Sequence, residues 1–277
     1  MIAIKNISVK RGSKRLVHQI SAEIPSRKIT MIMGENGCGK STLLAALSGE
    51  LPVDIPSHEQ HITTGLWLNQ TDLLSMPITE QAHYRAILRQ KYNLTLDFYV
   101  HEVIAMGARE HLTRVKMYTL IQKVAELTHT QHLLNRVYTS LSGGEQARVQ
   151  LARVFLQLWR EYDESTYSSE RLLLLDEPVA SLDPYHQHYI CQAIEQYITY
   201  QNVSVVLVMH DLYLATRYAD YILLLHQGQL IAHGDVCHVF NSDNIRYAFQ
   251  IDTQIEIKNQ RPAIDPESIR IRPYETY

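Results

Sequence analysis

The stretch from Ile29 to Ser41 constrains this chain more than any other. Ile29 to Met33 is an apolar, β-rich run that ends abruptly at Gly34, the pattern of a buried strand. It is followed by Gly34-Glu35-Asn36-Gly37-Cys38-Gly39-Lys40-Ser41, with Thr42 next. A helix is expected to start near Lys40 and to stop at Gly49, because glycine ends helices well. A strand, a glycine-rich turn of this spacing and a helix together form the context of a phosphate-binding loop. The glycines let the backbone curl so that its N–H groups face phosphate oxygens. The start of the helix adds the positive end of a dipole. Lys40 then reaches the outer phosphates and Ser41 is placed to ligate Mg2+. Taken alone, the stretch also fits a chance glycine turn before a helix, so the rest of the chain has to decide.

Strands alternate with helices along the 277 residues, which predicts a parallel α/β sheet. Residues 1–28 read as short strands turning at Arg11-Gly12-Ser13, and a hairpin is expected at His226-Gln227-Gly228. Between them, residues 99–160 read as mostly helical. Met117, Leu120, Ile121, Val124 and Leu127 share one helical face, and Val149, Ala152, Leu156 and Trp159 another. Both stripes read as core. The expected division is one domain over 1–240, a helical sub-domain inserted at about 91–156, and a tail over 241–277 weakened by Pro262, Pro266 and Pro273. The polar residues 160–170 read as a surface loop.

Composition narrows the function. A formal net charge of -3 supplies no basic field for nucleic acid or anionic lipid. Three cysteines, Cys38, Cys191 and Cys237, lie far apart, which fits a reducing compartment better than a disulfide framework. No signal peptide is read at the N-terminus. The longest apolar runs, such as Val203 to Met209 broken by Ser204, fall well short of the roughly 20 residues a membrane span needs. Any membrane role is therefore expected to run through a partner.

Two further motifs follow. Leu172 to Leu175 lead into Asp176-Glu177-Pro178, putting Asp176 at the end of a buried strand, where a carboxylate can hold Mg2+ through water. Glu177 comes next, placed to polarise an attacking water. Earlier in the chain stands Leu141-Ser142-Gly143-Gly144-Glu145 at a helix start. A phosphate loop, then Leu-Ser-Gly-Gly-Glu, then an apolar-Asp-Glu-Pro strand, in that order, resembles the ATP-binding cassette (ABC) ATPases. The resemblance implies an α/β P-loop NTPase core with a mainly parallel sheet, N-terminal antiparallel strands and an inserted helical sub-domain. It implies ATP and Mg2+ as cofactors, with Gly34 to Thr42 around the phosphates and Ser41, Asp176 and Gln90 around the metal. It makes Ser142, Gly143 and Gly144 a second phosphate clamp, acting on ATP held by another copy. Ala180-Ser181-Leu182-Asp183 is similar to the loop that crosses the dimer interface, and His210 to the switch histidine that contacts the γ-phosphate. Of the two glutamines that follow apolar runs, Gln90 rather than Gln70 matches the glutamine before the helical sub-domain. Arg89 stands where the family has proline. No aromatic occupies the region Lys10-Arg11-Gly12, where members stack one on adenine; Arg11 offers a guanidinium plane instead.

Over about residues 1–250 the chain also resembles the bacterial hemin-import ATPases, which group with the siderophore and vitamin B12 importers. The stretches that carry this are Gln146 to Trp159, the insert at 160–170, His101 to Gly107, His186-Gln187-His188 and Ala215 to Asp220. The resemblance implies a homodimer at the cytoplasmic face of the bacterial inner membrane. Its partners there are two integral permease subunits and, through the complex, a periplasmic haem-binding protein. Hydrolysis of ATP would drive hemin import. Siderophore or cobalamin import stays open, as does a soluble ABC ATPase or a two-subunit exporter. One cassette and no sustained heptads count against the repair and translation members of the family.

Overall fold

The computed structural model describes residues 2–54, 64–68, 70–90, 94–108, 112–160, 170–180 and 182–271. Most of the insert at 160–170 and Ser181 lie outside these residues. The chain runs through β1 (Ile2–Arg11), β2 (Lys14–Ile24), β3 (Ile29–Met33), α1 (Lys40–Leu47), β4 (Gly65–Leu68) and β5 (Thr71–Asp72). The middle supplies α2 (Ile78–Gln81), β6 (Arg85–Leu88), α3 (Val100–Ala105), α4 (Arg114–Leu127), α5 (Gly143–Leu158), β7 (Arg171–Asp176), α6 (Pro184–Tyr200) and β8 (Val203–Val208). The last stretch holds α7 (Leu212–Tyr218), β9 (Tyr221–His226), β10 (Gln229–Asp235), α8 (Val236–Val239), α9 (Ser242–Phe249) and four short strands, β11 (Ile251–Asp252), β12 (Ile255–Lys258), β13 (Arg261–Ile264) and β14 (Arg270–Ile271). These divide into two compact units, residues 1–77 with 206–277, and residues 78–205.

In the first unit β2, β1, β4 and β5 form an antiparallel sheet in that order. β1 and β2 meet across the Arg11↔Lys14 pair, and Gly12 makes the turn in the left-handed region. The five residues of β3 are all buried, as a strand covered on both faces must be. β3 pairs in parallel with β9, and β9 in antiparallel with β10 through Gln227-Gly228. This holds the end of β9 beside the end of β3, where the phosphate loop begins. The tail is more structured than expected. α9 caps on Asn241, whose side chain accepts from Asn244 N at 2.9 Å, and β12 and β13 form a hairpin that takes in Pro262 opposite Ile257.

In the second unit β6 and β7 run parallel, Arg85 to Leu88 against Leu172 to Leu175. Helices α3 and α4 both pack on α5. Of the stripe read on α4, Leu120, Ile121, Val124 and Leu127 are buried and Met117 is half-buried. On α5, Val149, Ala152 and Leu156 are buried, while Trp159 ends the helix as its C-cap. α6 lies against α5. The fully buried Tyr197 of α6 stacks on Phe155 at 3.9 Å between ring centroids and donates its hydroxyl to the Phe155 carbonyl at 2.8 Å. A buried hydroxyl needs such a partner.

Candidate functional site

In the first unit the phosphate loop leaves β3 at Gly34 and enters α1 at Lys40. Three glycines make the curl, with φ of 141° at Gly34, 80° at Gly37 and 108° at Gly39. A Cβ on Gly34 would collide with the Leu225 carbonyl on β9 and lie 2.8 Å from Cys38 Sγ. The lysine is buried beneath the curl and donates to the carbonyls of Gly34 at 2.9 Å and Glu35 at 2.7 Å. Asn36, Gly37 and Ser41 face solvent, and Thr42 is half-buried. A cation held under a concave run of backbone at the start of a helix suits a chain of phosphates, so the loop fits the cofactor expected of it. Cys38 is 3% exposed, and burial pushes its thiol up from the ordinary range, so it is shielded and short of thiolate.

His210 also belongs to the first unit. It follows β8 and is exposed, while Asp211 beside it caps α7 by accepting from Leu214 N at 2.9 Å. Gln70 stands in the turn between β4 and β5.

The second unit carries the carboxylates. β7 is buried from Arg171 to Leu175 and releases Asp176 and Glu177, both half-buried, at its end. Glu177 takes a left-handed backbone conformation, φ 48°, which a side chain with a Cβ rarely adopts. Gln90, two residues past β6, donates its amide to Glu177 Oε2 at 2.7 Å. The parallel pairing of β6 and β7 brings these two side chains together from 87 residues apart in sequence.

Ser142 sits at the N-cap of α5. Its hydroxyl accepts from Glu145 N at 3.3 Å, and the Glu145 carboxylate accepts from Ser142 N at 2.8 Å. This is a capping box, and the Ser142 N–H holds the Glu145 carboxyl below the usual carboxylate range. A Cβ on Gly143 would meet nothing within 4 Å, whereas on Gly144 it would press on Leu182 at 3.2 Å. The start of α5 is therefore open on the Gly143 side. Asp183 caps α6, accepting from His186 N at 3.0 Å and pairing with His186 Nδ1 at 2.6 Å, which holds its carboxyl low. Two contacts were missed from sequence. The Ser142–Glu145 box was readable from its Ser-x-x-Glu spacing. The approach of His226 to Glu35, at 3.4 Å, carries no local signal.

Comparison with known proteins supplies the family. Residues 17–180 match the family model described as ABC transporter. The chain is 35% identical over 253 residues to the Hemin import ATP-binding protein HmuV of Bordetella avium, covering 91% of this chain and 92% of that one. It is 37% identical over 252 residues to the protein of the same name from Bartonella quintana, covering 90% of each. Among solved structures, cbiO1 of Clostridium perfringens, part of the ABC transporter complex cbiONQ, superposes with a TM-score of 0.73 at 20% identity. That match covers 90% of this chain and 95% of cbiO1. MJ1267, an ATP-binding cassette of an ABC transporter, superposes with a TM-score of 0.74 at 20% identity, covering 90% of this chain and 97% of MJ1267. A phosphate loop of this geometry, on a fold shared with ATP-binding cassettes and with relatives matched over nine-tenths of both chains, has one reading: the chain belongs to the ABC transporter family and is an ATP-binding, ATP-hydrolysing subunit of it.

Proposed function

We propose that this chain powers haem import across a bacterial inner membrane, bound as a peripheral subunit to the cytoplasmic face of an integral permease. Two permease subunits, two copies of this chain and a periplasmic haem-binding protein make up the working assembly. The support for haem is the set of relatives named as hemin-import ATPases, which extend over nine-tenths of both chains. The support for hydrolysis is the placement of Glu177 at the end of β7, with its carboxylate oriented by Gln90.

In this reading the loop residues Gly34 to Thr42 bind the phosphates, and Lys40 neutralises their charge as it is drawn from its own loop carbonyls. Ser41, Asp176 and Gln90 are the residues that would hold Mg2+, whose chemistry is to neutralise charge on the transferring phosphoryl group. Glu177 orients and polarises the attacking water, and His210 senses the terminal phosphate. The open N-terminus of α5, with Ser142, Gly143 and Gly144, grips the ATP of the second copy, and Asp183 lies at the crossing between copies. Phosphoryl transfer asks little covalent chemistry of a protein, so positioning and charge stabilisation supply the rate. The segment around Gln90, where the helical sub-domain begins, is where a cytoplasmic helix of the permease docks.

The test is reconstitution. The permease complex in liposomes is expected to hydrolyse ATP faster when its binding protein carries haem than when that protein is empty. Stimulation by a siderophore- or cobalamin-loaded protein, with none from the haem-loaded one, would replace the cargo and leave the ATPase reading intact.

A further inference from the structure

At the end of β9, His226 stands next to the phosphate loop. Its side chain is 12% exposed, and its Nδ1 lies 3.4 Å from Glu35 Oε1. The direction is too poor for a hydrogen bond, and Nδ1 is among the buried polar atoms of the described residues that have no hydrogen-bond partner. A buried ring nitrogen without a partner is costly unless a small movement can supply one, and the Glu35 carboxylate is within that movement. On its other side the His226 ring meets the Tyr247 ring of α9, with centroids 4.9 Å apart and planes tilted by 57°. Helix α9 packs on β9, which carries the Tyr247 ring to His226.

Glu35 is not a passive residue of the loop. Its carbonyl accepts from Lys40 Nζ at 2.7 Å and, more weakly, from Cys38 N at 3.4 Å. The loop's shape and the resting place of its cation therefore both pass through Glu35. When Lys40 leaves that carbonyl for a phosphate, the peptide of Glu35 keeps only the longer contact from Cys38 N, and the side chain becomes its second hold.

We propose that His226 is a positioning residue for ATP binding: it fixes the Glu35 side chain, and through it the backbone on which Lys40 rests, while Tyr247 braces its ring from the C-terminal helix. This rests on the reading that the loop at 34–41 takes ATP. It gives the segment after residue 240 a part in nucleotide affinity.

The experiment uses the full-length chain with ATP as the probe, read as KM and kcat separately alongside thermal melting. His226→Ala is expected to raise KM for ATP about threefold to tenfold with kcat within about twofold, since lost preorganisation weakens ground state and transition state alike. His226→Gln, whose amide can donate to the carboxylate, is expected to restore most of the affinity. Tyr247→Phe keeps the ring and is expected to behave as wild type, while Tyr247→Ala raises KM in the same direction. Glu35→Ala combined with His226→Ala is expected to be no worse than either alone, the mark of two residues acting as a pair. An unchanged KM in His226→Ala overturns the proposal. So does a fall in kcat and melting temperature at constant KM, or a glutamine variant no better than alanine. Failure of the underlying reading would look different: Lys40→Ala would then bind ATP as wild type does.

Discussion

Glu177 is held twice, by a left-handed backbone that few residues tolerate and by the amide of Gln90 at 2.7 Å. Strain of that kind persists only where its surroundings enforce it, and it gathers where geometry matters. In the proposed reading, removing the amide loosens the carboxylate that orients the attacking water. Gln90→Ala is therefore expected to lower steady-state ATP hydrolysis by about tenfold, equivalent to ~1.4 kcal/mol of transition-state stabilisation. Gln70→Ala, in the β4–β5 turn, is expected to stay within about twofold of wild type. Equal losses in the two variants would remove Gln90 from this role. At this scale the sequence is uneven in what it shows. The phosphate loop is legible because backbone curl demands glycines at fixed spacing and a cation follows at once. The burial of Cys38 is not, because it depends on β9, whose Leu225 carbonyl closes over Gly34 from nearly two hundred residues away. The His226–Glu35 approach is hidden for the same reason.

Among the elements, β3 and β7 were plain from composition, since a strand buried on both faces shows as an unbroken apolar run. The hairpin of β12 and β13 was not. Its turn residues Asn259 and Gln260 both take positive φ, 51° and 61°, without the glycine that normally advertises such a turn. Most of β12 is exposed, so no apolar alternation marks it. Helix packing offers a sharper test. Gly107, just past α3, is buried against α5, and a Cβ there would collide with the Arg153 carbonyl. Backbone cannot swing aside as a side chain can, so α3 would have to lift from α5. Gly107→Ala is expected to destabilise the protein by about 1–3 kcal/mol, the usual cost of overpacking. Thermal melting would read this as a lowered transition, and Gly143→Ala, where a Cβ meets nothing within 4 Å, serves as the control. A melting temperature for Gly107→Ala equal to wild type would mean that α3 is not seated on α5 as described.

For the whole molecule, the questions are how it works on a membrane and how many copies it needs. Among the described residues no helix is long and apolar enough to cross a membrane. The start of α5 points to a second copy. Its capping box satisfies Ser142 within the helix while the Gly143 side stays open, leaving a dipole end that an anion can approach. If that anion is the terminal phosphate of ATP on another copy, ATP becomes the glue of a dimer, and its hydrolysis dissolves the contact. Glu177→Gln keeps the shape of the side chain but cannot take a proton from water, so under the proposed role of Glu177 the bound ATP would persist. Light scattering of Glu177→Gln is then expected to give twice the monomer mass with ATP and the monomer mass with ADP, which lacks the bridging phosphate. Adding Ser142→Arg, which fills the open end of α5 with a bulky side chain, is expected to return the ATP-loaded protein to monomer mass while ATP still binds. Doubling with ADP as readily as with ATP would show that the copies associate without the phosphate. Doubling that survives Ser142→Arg would place the contact between copies away from the start of α5.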